Sequence, residues 1–233
     1  MGTWKKPTRG KEHSKAVARG KLVETANDLC APDFMSKYAP ATGPLSADSD
    51  ESSRYTDGTN ISRDELEACL NLIERTSAED YANSEMGWSR AKKRKEMVLP
   101  DLKYVLLLSD SQAGPHGFLN EEEQKVVVGF ISFMITYEDG DEVIYIYEVH
   151  LQPPSQGKGY GRRLMDYVEA IGQSVGVKKA MLTVFRSNQR AVSVYERLGY
   201  EEDEFSPKPR QLRNGTVKEP SYVILSKMLE KVG

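Results

Sequence analysis

The residues of this chain that are best suited to chemistry lie in a glycine-dense segment between a predicted strand and a predicted helix. The apolar strand Val143–Leu151 leads into Gln156–Gly161 (QGKGYG), and an apolar helical pattern begins directly behind it. Such a turn directs several backbone N–H groups and the positive end of a helix dipole at one place. The segment therefore predicts a diphosphate site and a nucleotide-bearing cofactor.

The spacing of the glycines separates three classes of phosphate-binding loop. The dinucleotide fingerprint needs G-x-G-x-x-G and the NTPase loop needs G-x-x-x-x-G-K-[ST], and neither string is present. Gln156, Gly159 and Gly161 instead match Q/R-x-x-G-x-G/A, which resembles the pyrophosphate signature of the GNAT superfamily of N-acetyltransferases. A plain surface loop is the alternative for this short pattern taken alone.

The segments after the loop resemble the same superfamily. A long helix over 159–175 precedes the strand Ala180–Phe185, then Asn188, and then a short helix that ends in YERLGY at 195–200. On this resemblance the chain is identified as a member. The order of elements predicts an α+β fold with a partly antiparallel sheet. The resemblance implies a single GNAT domain with a mixed, mostly antiparallel sheet of about seven strands and about four helices, plus an N-terminal helical and loop arm.

The resemblance implies acetyl-CoA as the cofactor and no metal ion. The end of the strand should offer backbone groups to the pantetheine arm, the loop N–H groups should hold the pyrophosphate, and an amide and a tyrosine ring should lie near the sulfur. The expected cofactor-binding residues are Val149, Leu151, Gln156, Gly157, Lys158, Gly159, Gly161, Arg162, Asn188 and Tyr195. Core packing is the alternative role for Tyr195.

A further set of motifs resembles a narrower family, the N-alpha-acetyltransferases of the NatD type. These motifs are Tyr81–Trp88 (YANSEMGW), Gly140–Val149 (GDEVIYIYEV), Met181–Phe185 (MLTVF) and Ser221–Ser226 (SYVILS). That family acetylates the free N-terminus of histone H4 and of the 2A core histone, which begin Ser-Gly-Arg-Gly. The resemblance implies the same substrates and partners for this chain.

An amine can attack a thioester only after its ammonium form has lost a proton. An α-amino group, with a pKa of about 7.7–8.0, needs less help than a lysine near 10.4. Glu148 is the candidate base, directly or through a water, with Tyr147 as the second candidate catalytic residue. Aromatic side chains should form the walls of a narrow peptide slot around it. The expected substrate-binding residues are Tyr81, Trp88, Tyr145, Tyr147, Glu148 and Tyr222.

Tyr147 and Glu148 can share a site only if their strand is irregular. Strict alternation sends neighbouring side chains to opposite faces of a sheet. We therefore predict a β-bulge between these two residues, an irregularity that the fourth strand of this fold is known for. A solvent-exposed surface carboxylate is the alternative for Glu148.

Two positions depart from the pattern of the NatD family. Met86 stands where an aromatic residue precedes Gly-Trp, and Thr136 stands where an acid is found. Both should lie at the peptide slot, so another acid is needed to pair with the substrate arginine. The candidates are Glu138, Asp139, Asp141 and Glu142. A solvated hairpin tip is the alternative for this acidic group.

The whole chain has the composition of a soluble globular protein. Its 233 residues are 29% charged and 39% hydrophobic, and a net charge of -3 is too small to argue for a nucleic-acid or membrane partner. Cys30 and Cys69 are too few for a disulfide framework, which favours a reducing compartment. No apolar run approaches about 18 residues. We expect a monomer of the cytoplasm and nucleus.

The N-terminal part differs in composition from the rest. Seven Lys and Arg side chains against Glu12 make residues 1–21 basic, Lys15–Leu29 could form a short helix, and Ala31–Asn60 has the composition of a loop or linker. We therefore divide the chain into an arm over 1–60 and an acetyltransferase domain over 61–233. The basic run is a solvated arm, a nuclear-import signal, or a contact for nucleic acid or the ribosome.

Local signals predict where several elements begin and turn. Ser62 begins a capping box, Ser77 begins a second helical pattern, and Asp139-Gly140 indicates a hairpin. Two functional alternatives stay open beside α-amino acetylation. One is acetylation of lysine or another amine, and the other is a non-catalytic scaffold that binds coenzyme A on chromatin or ribosomes.

Overall fold

A computed structural model describes residues 21–45, 51–110, 125–211 and 213–229. The helices are α1 (Leu22–Asn27), α2 (Ala31–Tyr38), α3 (Arg63–Ala82), α4 (Arg90–Met97), α5 (Tyr160–Val175) and α6 (Gln189–Arg197). The strands are β1 (Glu51–Asp57), β2 (Lys103–Asp110), β3 (Lys125–Glu138), β4 (Asp141–Leu151), β5 (Lys179–Phe185), β6 (Glu201–Glu202), β7 (Arg210–Gln211), β8 (Val217–Lys218) and β9 (Tyr222–Met228).

One seven-stranded sheet organises the fold, in the order β1-β2-β3-β4-β5-β9-β6. Neighbouring strands are antiparallel except for β4 and β5, which are parallel because α5 connects them as a crossover. The predicted mixed, mostly antiparallel α+β sheet of about seven strands is confirmed. The described residues form six helices rather than four. None of these helices combines the length and apolar character needed to cross a membrane.

The helices cover both faces of the sheet. Helix α5 packs its apolar stripe into the larger core, where Leu164, Val168 and Ile171 are fully buried, and α1 and α2 complete that layer. Helices α3 and α4 cover the opposite face with a second core that includes Leu70, Ile73 and Met97. The active-site prediction concerns this second face.

Helix α3 begins as predicted but continues further. The Ser62 hydroxyl accepts from the Glu65 N–H and the Glu65 carboxylate accepts from the Ser62 N–H, so the capping box is confirmed. The second helix start at Ser77 is wrong, because α3 runs without interruption to Ala82. Nothing between Ser77 and Ala82 is a glycine or proline that would end a helix.

The loop predicted over residues 31–60 is wrong in two places, at α2 and β1. Phe34 is fully buried, with its ring centroid 6.0 Å from that of Tyr55 and 6.5 Å from that of Phe133. The prediction failed because α2 is only eight residues long and its aromatic pair, Phe34 and Tyr38, stands among polar residues. The basic run over 1–20 and the first part of the helix predicted over 15–29 lie outside the described residues.

Two irregularities of β4 position the functional site. The pairing of β3 with β4 shifts between Ser132 and Phe133, so that Tyr147 is an extra residue between Ile146 and Glu148. The predicted bulge is therefore confirmed. The pairing of β4 with β5 covers only Val143–Ile146, so the two strands, each described in full, separate after the bulge.

The connection between β3 and β4 is the predicted two-residue hairpin. Asp139 and Gly140 have φ values of 47° and 89°, and Glu138 pairs with Asp141 on either side of them. Two left-handed residues suit a type I′ turn, which explains why Asp-Gly stands there. The hairpin fixes the register that leads to the bulge.

Candidate active site

Glu148 lies inside the protein, on the face of the sheet that α3 and α4 cover. It is 9% exposed, so the surface-carboxylate alternative is wrong. Its Oε1 accepts from Lys93 Nζ at 2.8 Å and from the Tyr81 hydroxyl at 3.2 Å. Its Oε2 lies 2.6 Å from His150 Nε2, which donates because a carboxylate can only accept. The bulge brings Glu148 to these partners.

The charges around Glu148 keep it ionised. Burial opposes ionisation, but the positive charge of Lys93 and the hydrogen bond from His150 outweigh it and lower the pKa of Glu148 to about 2. Burial by itself would lower the pKa of Lys93, and the neighbouring carboxylates, Glu148 first, instead hold that pKa well above its usual value. At neutral pH the pair is a carboxylate and an ammonium group.

Of the predicted substrate-binding aromatics, Tyr81 contacts this carboxylate, and Trp88 packs against Tyr81. Tyr81, in the last turn of α3, has its ring centroid 5.5 Å from that of Trp88 and 4.8 Å from that of Phe185. Trp88 Nε1 donates to Glu74 Oε1 at 3.3 Å. Burial, followed by the charge of Glu148, raises the pKa of Tyr81, so its hydroxyl keeps its proton and donates.

The other predicted aromatics form the continuation of this surface along the sheet. The ring centroids of Tyr145 and Tyr147 are 5.3 Å apart, and the Tyr145 hydroxyl is 2.5 Å from Thr183 Oγ1. Tyr222 pairs in register with Phe185, the residue whose ring contacts Tyr81. Burial raises the pKa of both Tyr145 and Tyr147. These rings therefore present neutral hydroxyl groups.

The glycine loop leaves open space beside two of its glycines. Gly157 and Gly159 have φ values of 78° and 84°, and a Cβ at either would meet no described atom within 4 Å. Gly159 is the N-cap of α5. The N–H groups of Gly161 and Arg162 lie in the first turn, where a helix offers no carbonyl four residues back. Open space in front of such N–H groups fits a diphosphate.

The loop side chains have different surroundings. Gln156 Nε2 donates to the Leu151 carbonyl at 3.0 Å, which ties the loop to the end of β4. The side chain of Lys158 is 54% exposed, and that of Arg162 is 73% exposed. Gln156 therefore holds the loop in place, whereas the two cations face solvent beside it.

The separation of β4 from β5 provides an open strand edge. Val149 and Leu151 pair with Ile131 and Gly129 of β3, and the register with β5 stops at Ile146. An extended chain can add to such an edge as a strand does. The position suits the pantetheine arm that the sequence predicts, between the glycine loop and Glu148.

Asn188 and Tyr195 lie at the start and the end of α6. Asn188 Oδ1 accepts from the Ala191 N–H at 3.1 Å and caps the helix. Tyr195 packs against the larger core, with its ring centroid 6.0 Å from that of Tyr200. Burial, and then the charge of Glu148, raises the pKa of Tyr195 to about 12. Its hydroxyl therefore keeps its proton at neutral pH.

The sequence interpretation missed two residues of this site, Lys93 and His150. Lys93 belongs to a run of charged residues, Arg90–Glu96, that has the pattern of a solvated helix. The available signal was Met97, which stands four residues after Lys93 and therefore on the same face of α4. His150 stands two residues after Glu148 and shares its face of β4.

Comparison with known proteins agrees with this geometry. The family model described as "Acetyltransferase (GNAT) family" matches residues 77–200, just over half of the chain. The chain belongs to the GNAT acetyltransferase family. That match contains Glu148, the glycine loop and both irregularities of β4.

Two curated relatives of this GNAT chain are similar over part of its length. N-alpha-acetyltransferase 40 of Saccharomyces cerevisiae is 30% identical over 163 residues, 62% of this chain and 54% of that protein. The N-acetyltransferase YycN of Bacillus subtilis, described as uncharacterized, is 32% identical over 84 residues, 36% of this chain and 52% of that protein. The chain thus spans about half the length of each.

A solved GNAT structure agrees in fold. Arabidopsis thaliana NAA60 in complex with a bisubstrate analogue has a TM-score of 0.51 at 12% identity, over 77% of this chain and 100% of that one. At this identity the likeness concerns the fold alone.

Proposed function

We propose that this protein transfers the acetyl group of acetyl-CoA to the free α-amino group of proteins that begin Ser-Gly-Arg-Gly, as histone H4 and the 2A core histone do. The observation that carries this proposal is the bulge at Tyr147. It places the Glu148 carboxylate beside Tyr81, at the point where β4 separates from β5. The amine and the thioester can therefore meet there.

The acetyl-CoA half of the proposal is supported by the loop and the strand edge. The N–H groups from Gly157 to Arg162 would hold the pyrophosphate, and Val149 and Leu151 would take the pantetheine arm at the open edge of β4. Asn188 and Tyr195 would lie beyond β5, near the sulfur. Acetyl-CoA would supply the activated acetyl group, and the reacting carbon would lie near Glu148.

The chemistry is an acyl transfer in which the protons must balance. The substrate ammonium first loses one proton; then the N–C bond forms, the C–S bond breaks, and the amine's second proton is transferred to the leaving thiolate. An α-amino group, with a pKa of about 7.7–8.0, is partly neutral at physiological pH, whereas a lysine near 10.4 is not. We propose that Glu148 accepts a hydrogen bond from the amine, directly or through a water, and that Tyr147 lies beside it.

The peptide slot would be formed by Tyr81, Trp88, Tyr145, Tyr147 and Tyr222. A narrow aromatic slot suits a chain that begins with Ser and Gly, because their side chains are small. The likeness to yeast N-alpha-acetyltransferase 40 supports an α-amino group over a lysine.

Two of the four candidate acids for the substrate arginine already have partners, and a third, Asp139, is exposed at the hairpin turn. Glu142 already accepts from the Leu22 N–H at 2.9 Å, and Asp141 accepts from Lys178 at 2.6 Å. Glu138 shares a face of β3 with Thr136, towards Tyr145. Burial and then the charge of Asp139 raise the pKa of Glu138, and the charge of Lys179 offsets part of that rise. We propose Glu138 as this partner.

One assay separates the proposed function from its alternatives. The protein is incubated with acetyl-CoA and a Ser-Gly-Arg-Gly peptide that also contains an internal lysine, with the N-terminus either unblocked or blocked, and the modified atom is located by mass spectrometry. We expect acetylation of the unblocked α-amine only. Equal acetylation of the blocked peptide would indicate a lysine acetyltransferase. Binding of acetyl-CoA without any turnover would indicate the scaffold.

A further inference from the structure

Lys93 is a buried lysine that the proposed function has not used. Its side chain is 7% exposed, although Lys92 and Lys95 on the same short helix are exposed to solvent. Burying an ammonium group is costly unless it is paired and hydrogen-bonded. The position of Lys93 therefore needs a reason beyond solubility.

The contacts of Lys93 lie on the carboxylate of the candidate active site. Its Nζ is 2.8 Å from Glu148 Oε1 and 2.8 Å from Glu96 Oε1. It also lies 4.9 Å from the centroid of the Tyr81 ring, within the range of a cation–π contact. One ammonium group thus joins the bulged strand, helix α4 and the last turn of α3.

A second chain of contacts holds the other oxygen of the same carboxylate. His150 Nε2 donates to Glu148 Oε2 at 2.6 Å, and His150 Nδ1 lies 2.7 Å from Thr76 Oγ1. The Thr76 hydroxyl is also 2.8 Å from the Leu72 carbonyl of its own helix. Because each oxygen of Glu148 has its own donor, the carboxylate is fixed in orientation as well as in charge.

We propose that Lys93 is a positioning residue that, with His150, holds Glu148 as a rigid carboxylate, and that Glu148 orients the attacking amine by accepting a hydrogen bond rather than by keeping its proton. This inference rests on the proposed function. The proton of the substrate ammonium passes to solvent water before the attack. The second amine proton leaves with the thiol, as described above, so Glu148 begins and ends the cycle ionised.

The electrostatics agree with this role. The pKa of Glu148 is about 2 and that of the amine is about 7.7–8.0, so a proton on Glu148 would return at once to the amine. Glu148 is therefore a weak base for this reaction. Six titratable groups of the described residues face Glu148. They are Lys93 and Glu96 from α4, Tyr81 from α3, Tyr104 from β2, Tyr195 from α6, and His150 from β4, the strand of Glu148 itself. Of these, Lys93 provides the permanent positive charge.

Removing that charge leaves burial opposed only by the contacts of Glu148 with His150 and Tyr81. Burial disfavours the charged form, so the pKa of Glu148 must rise in Lys93→Met. Below the raised pKa of Glu148, the rate should then fall more steeply with decreasing pH than the deprotonation of the substrate amine alone requires. Lys93→Arg keeps the positive charge and should keep the profile close to that of the wild type.

The kinetic test measures kcat/KM for the Ser-Gly-Arg-Gly peptide from pH 5 to pH 9. We expect Lys93→Met to lose roughly 10²-fold in kcat/KM at pH 7, mainly in kcat, and to show a steeper acid limb than the wild type. Lys92→Met, on the exposed side of the same helix, is the matched control and should behave as the wild type. A Lys93→Met profile that superimposes on the wild type overturns the proposal.

A second measurement requires no catalysis. The side-chain carboxyl carbon of Glu148 is followed by NMR in protein labelled with ¹³C-glutamate and assigned with Glu148→Gln. We expect it to stay ionised to about pH 3 in the wild type and to titrate at higher pH in Lys93→Met. An unshifted titration overturns the Lys93 proposal even if the enzyme is active. A wild type that shows the expected titration but acetylates no α-amine overturns the proposed function instead.

Lys93→Met could unfold the protein, because it leaves a buried charge without its partner. The double variant Lys93→Met/Glu148→Gln removes both charges and should recover thermal stability. The stability of Lys93→Met should be nearest to that of the wild type at acidic pH, where the buried carboxyl takes up a proton, and should fall further behind as the pH rises. A stability difference that does not change with pH overturns the proposal.

Discussion

At the scale of single residues, the proposed reaction depends most on the negative charge of Glu148. Glu148→Gln keeps the shape of the side chain and removes the charge that attracts the amine. We expect kcat for the Ser-Gly-Arg-Gly peptide to fall by roughly 10²-fold or more, because misplacing a reacting group by about 1 Å costs a rate factor on that scale. The Kd of acetyl-CoA, measured by calorimetry, should stay within about twofold, since the expected pyrophosphate contacts are backbone N–H groups of the glycine loop and not the Glu148 side chain.

The control for this substitution is Glu79→Gln on the exposed face of α3. It removes the same charge from the molecule but lies outside the site, so its kcat should match that of the wild type. A Glu148→Gln enzyme with wild-type kcat between pH 6 and pH 8 would remove Glu148 from the reaction.

Glu138 gives a prediction about specificity. Charge-assisted hydrogen bonds contribute about 1.5–3 kcal/mol, so Glu138→Gln should raise KM for Ser-Gly-Arg-Gly by about tenfold or more. A Ser-Gly-Ala-Gly peptide lacks the guanidinium and should show no such change. Asp139→Asn, at the exposed hairpin tip, is the matched control. An equal loss of activity on both peptides in Glu138→Gln would show that this carboxylate is not the partner of the arginine.

At the scale of elements, the glycine loop links a backbone conformation to cofactor affinity. Gly159 has a φ of 84° and open space where a Cβ would stand. Gly159→Ala should therefore cost about 1–2 kcal/mol of backbone strain and place a methyl group where the diphosphate is expected. We expect the Kd of acetyl-CoA to rise by about tenfold or more while the protein still folds.

A matched glycine separates strain from lost binding. Gly215, in the turn between β7 and β8, also has a φ of 84°, and no described atom lies within 4 Å of the place where its Cβ would stand. Gly215→Ala should lower the melting temperature about as much as Gly159→Ala does, because the backbone strain is the same. It should leave the Kd of acetyl-CoA unchanged. Equal losses of affinity in both variants would indicate a general effect of strain.

Some elements could be predicted from the sequence because their signals are local. The capping box at Ser62 and the turn at Asp139-Gly140 each depend on a few adjacent residues, and both are confirmed. The bulge at Tyr147 was predicted because alternating side chains would put Tyr147 and Glu148 on opposite faces of the sheet, whereas the expected chemistry needs both at one site. It is also confirmed. The contact between Lys93 and Glu148 was not predictable in this way, because it joins residues of α4 and β4 that are 55 positions apart.

At the scale of the whole molecule, the segment before Asn60 is part of the fold that carries the site. Strand β1 pairs with β2 over Glu51–Asp57. Lys103 Nζ, on β2, donates to Asn27 Oδ1 at 2.8 Å and lies 4.9 Å from the centroid of the Phe34 ring. The sequence suggested a linker here because Pro, Ser, Gly and Asp dominate the composition. A few buried aromatic residues were enough to attach the segment to the core.

Phe34 provides the sharpest test of that attachment. It is fully buried, and large-to-small changes at such sites cost about 3–5 kcal/mol, so Phe34→Ala should lower the free energy of unfolding by that amount in chemical denaturation. Ser36→Ala, on the exposed side of the same helix, should change it by less than about 0.5 kcal/mol. A loss below about 1 kcal/mol in Phe34→Ala would support the arm over 1–60 as a separate unit.

Deletion of residues 1–60 extends the same test to the boundary between the arm and the domain. The deletion removes β1 from the edge of the sheet and leaves β2 with one unpaired edge, which exposes backbone groups to pairing with other chains. It also removes Phe34 from the core beside Phe133. We therefore expect the truncated chain to aggregate, whereas a chain that lacks only residues 1–20 should fold and acetylate the peptide, as judged by light scattering and kcat/KM. A soluble, active chain beginning at Ile61 would instead support a domain boundary at residue 60. It would show that the acetyltransferase domain folds without α1, α2 and β1.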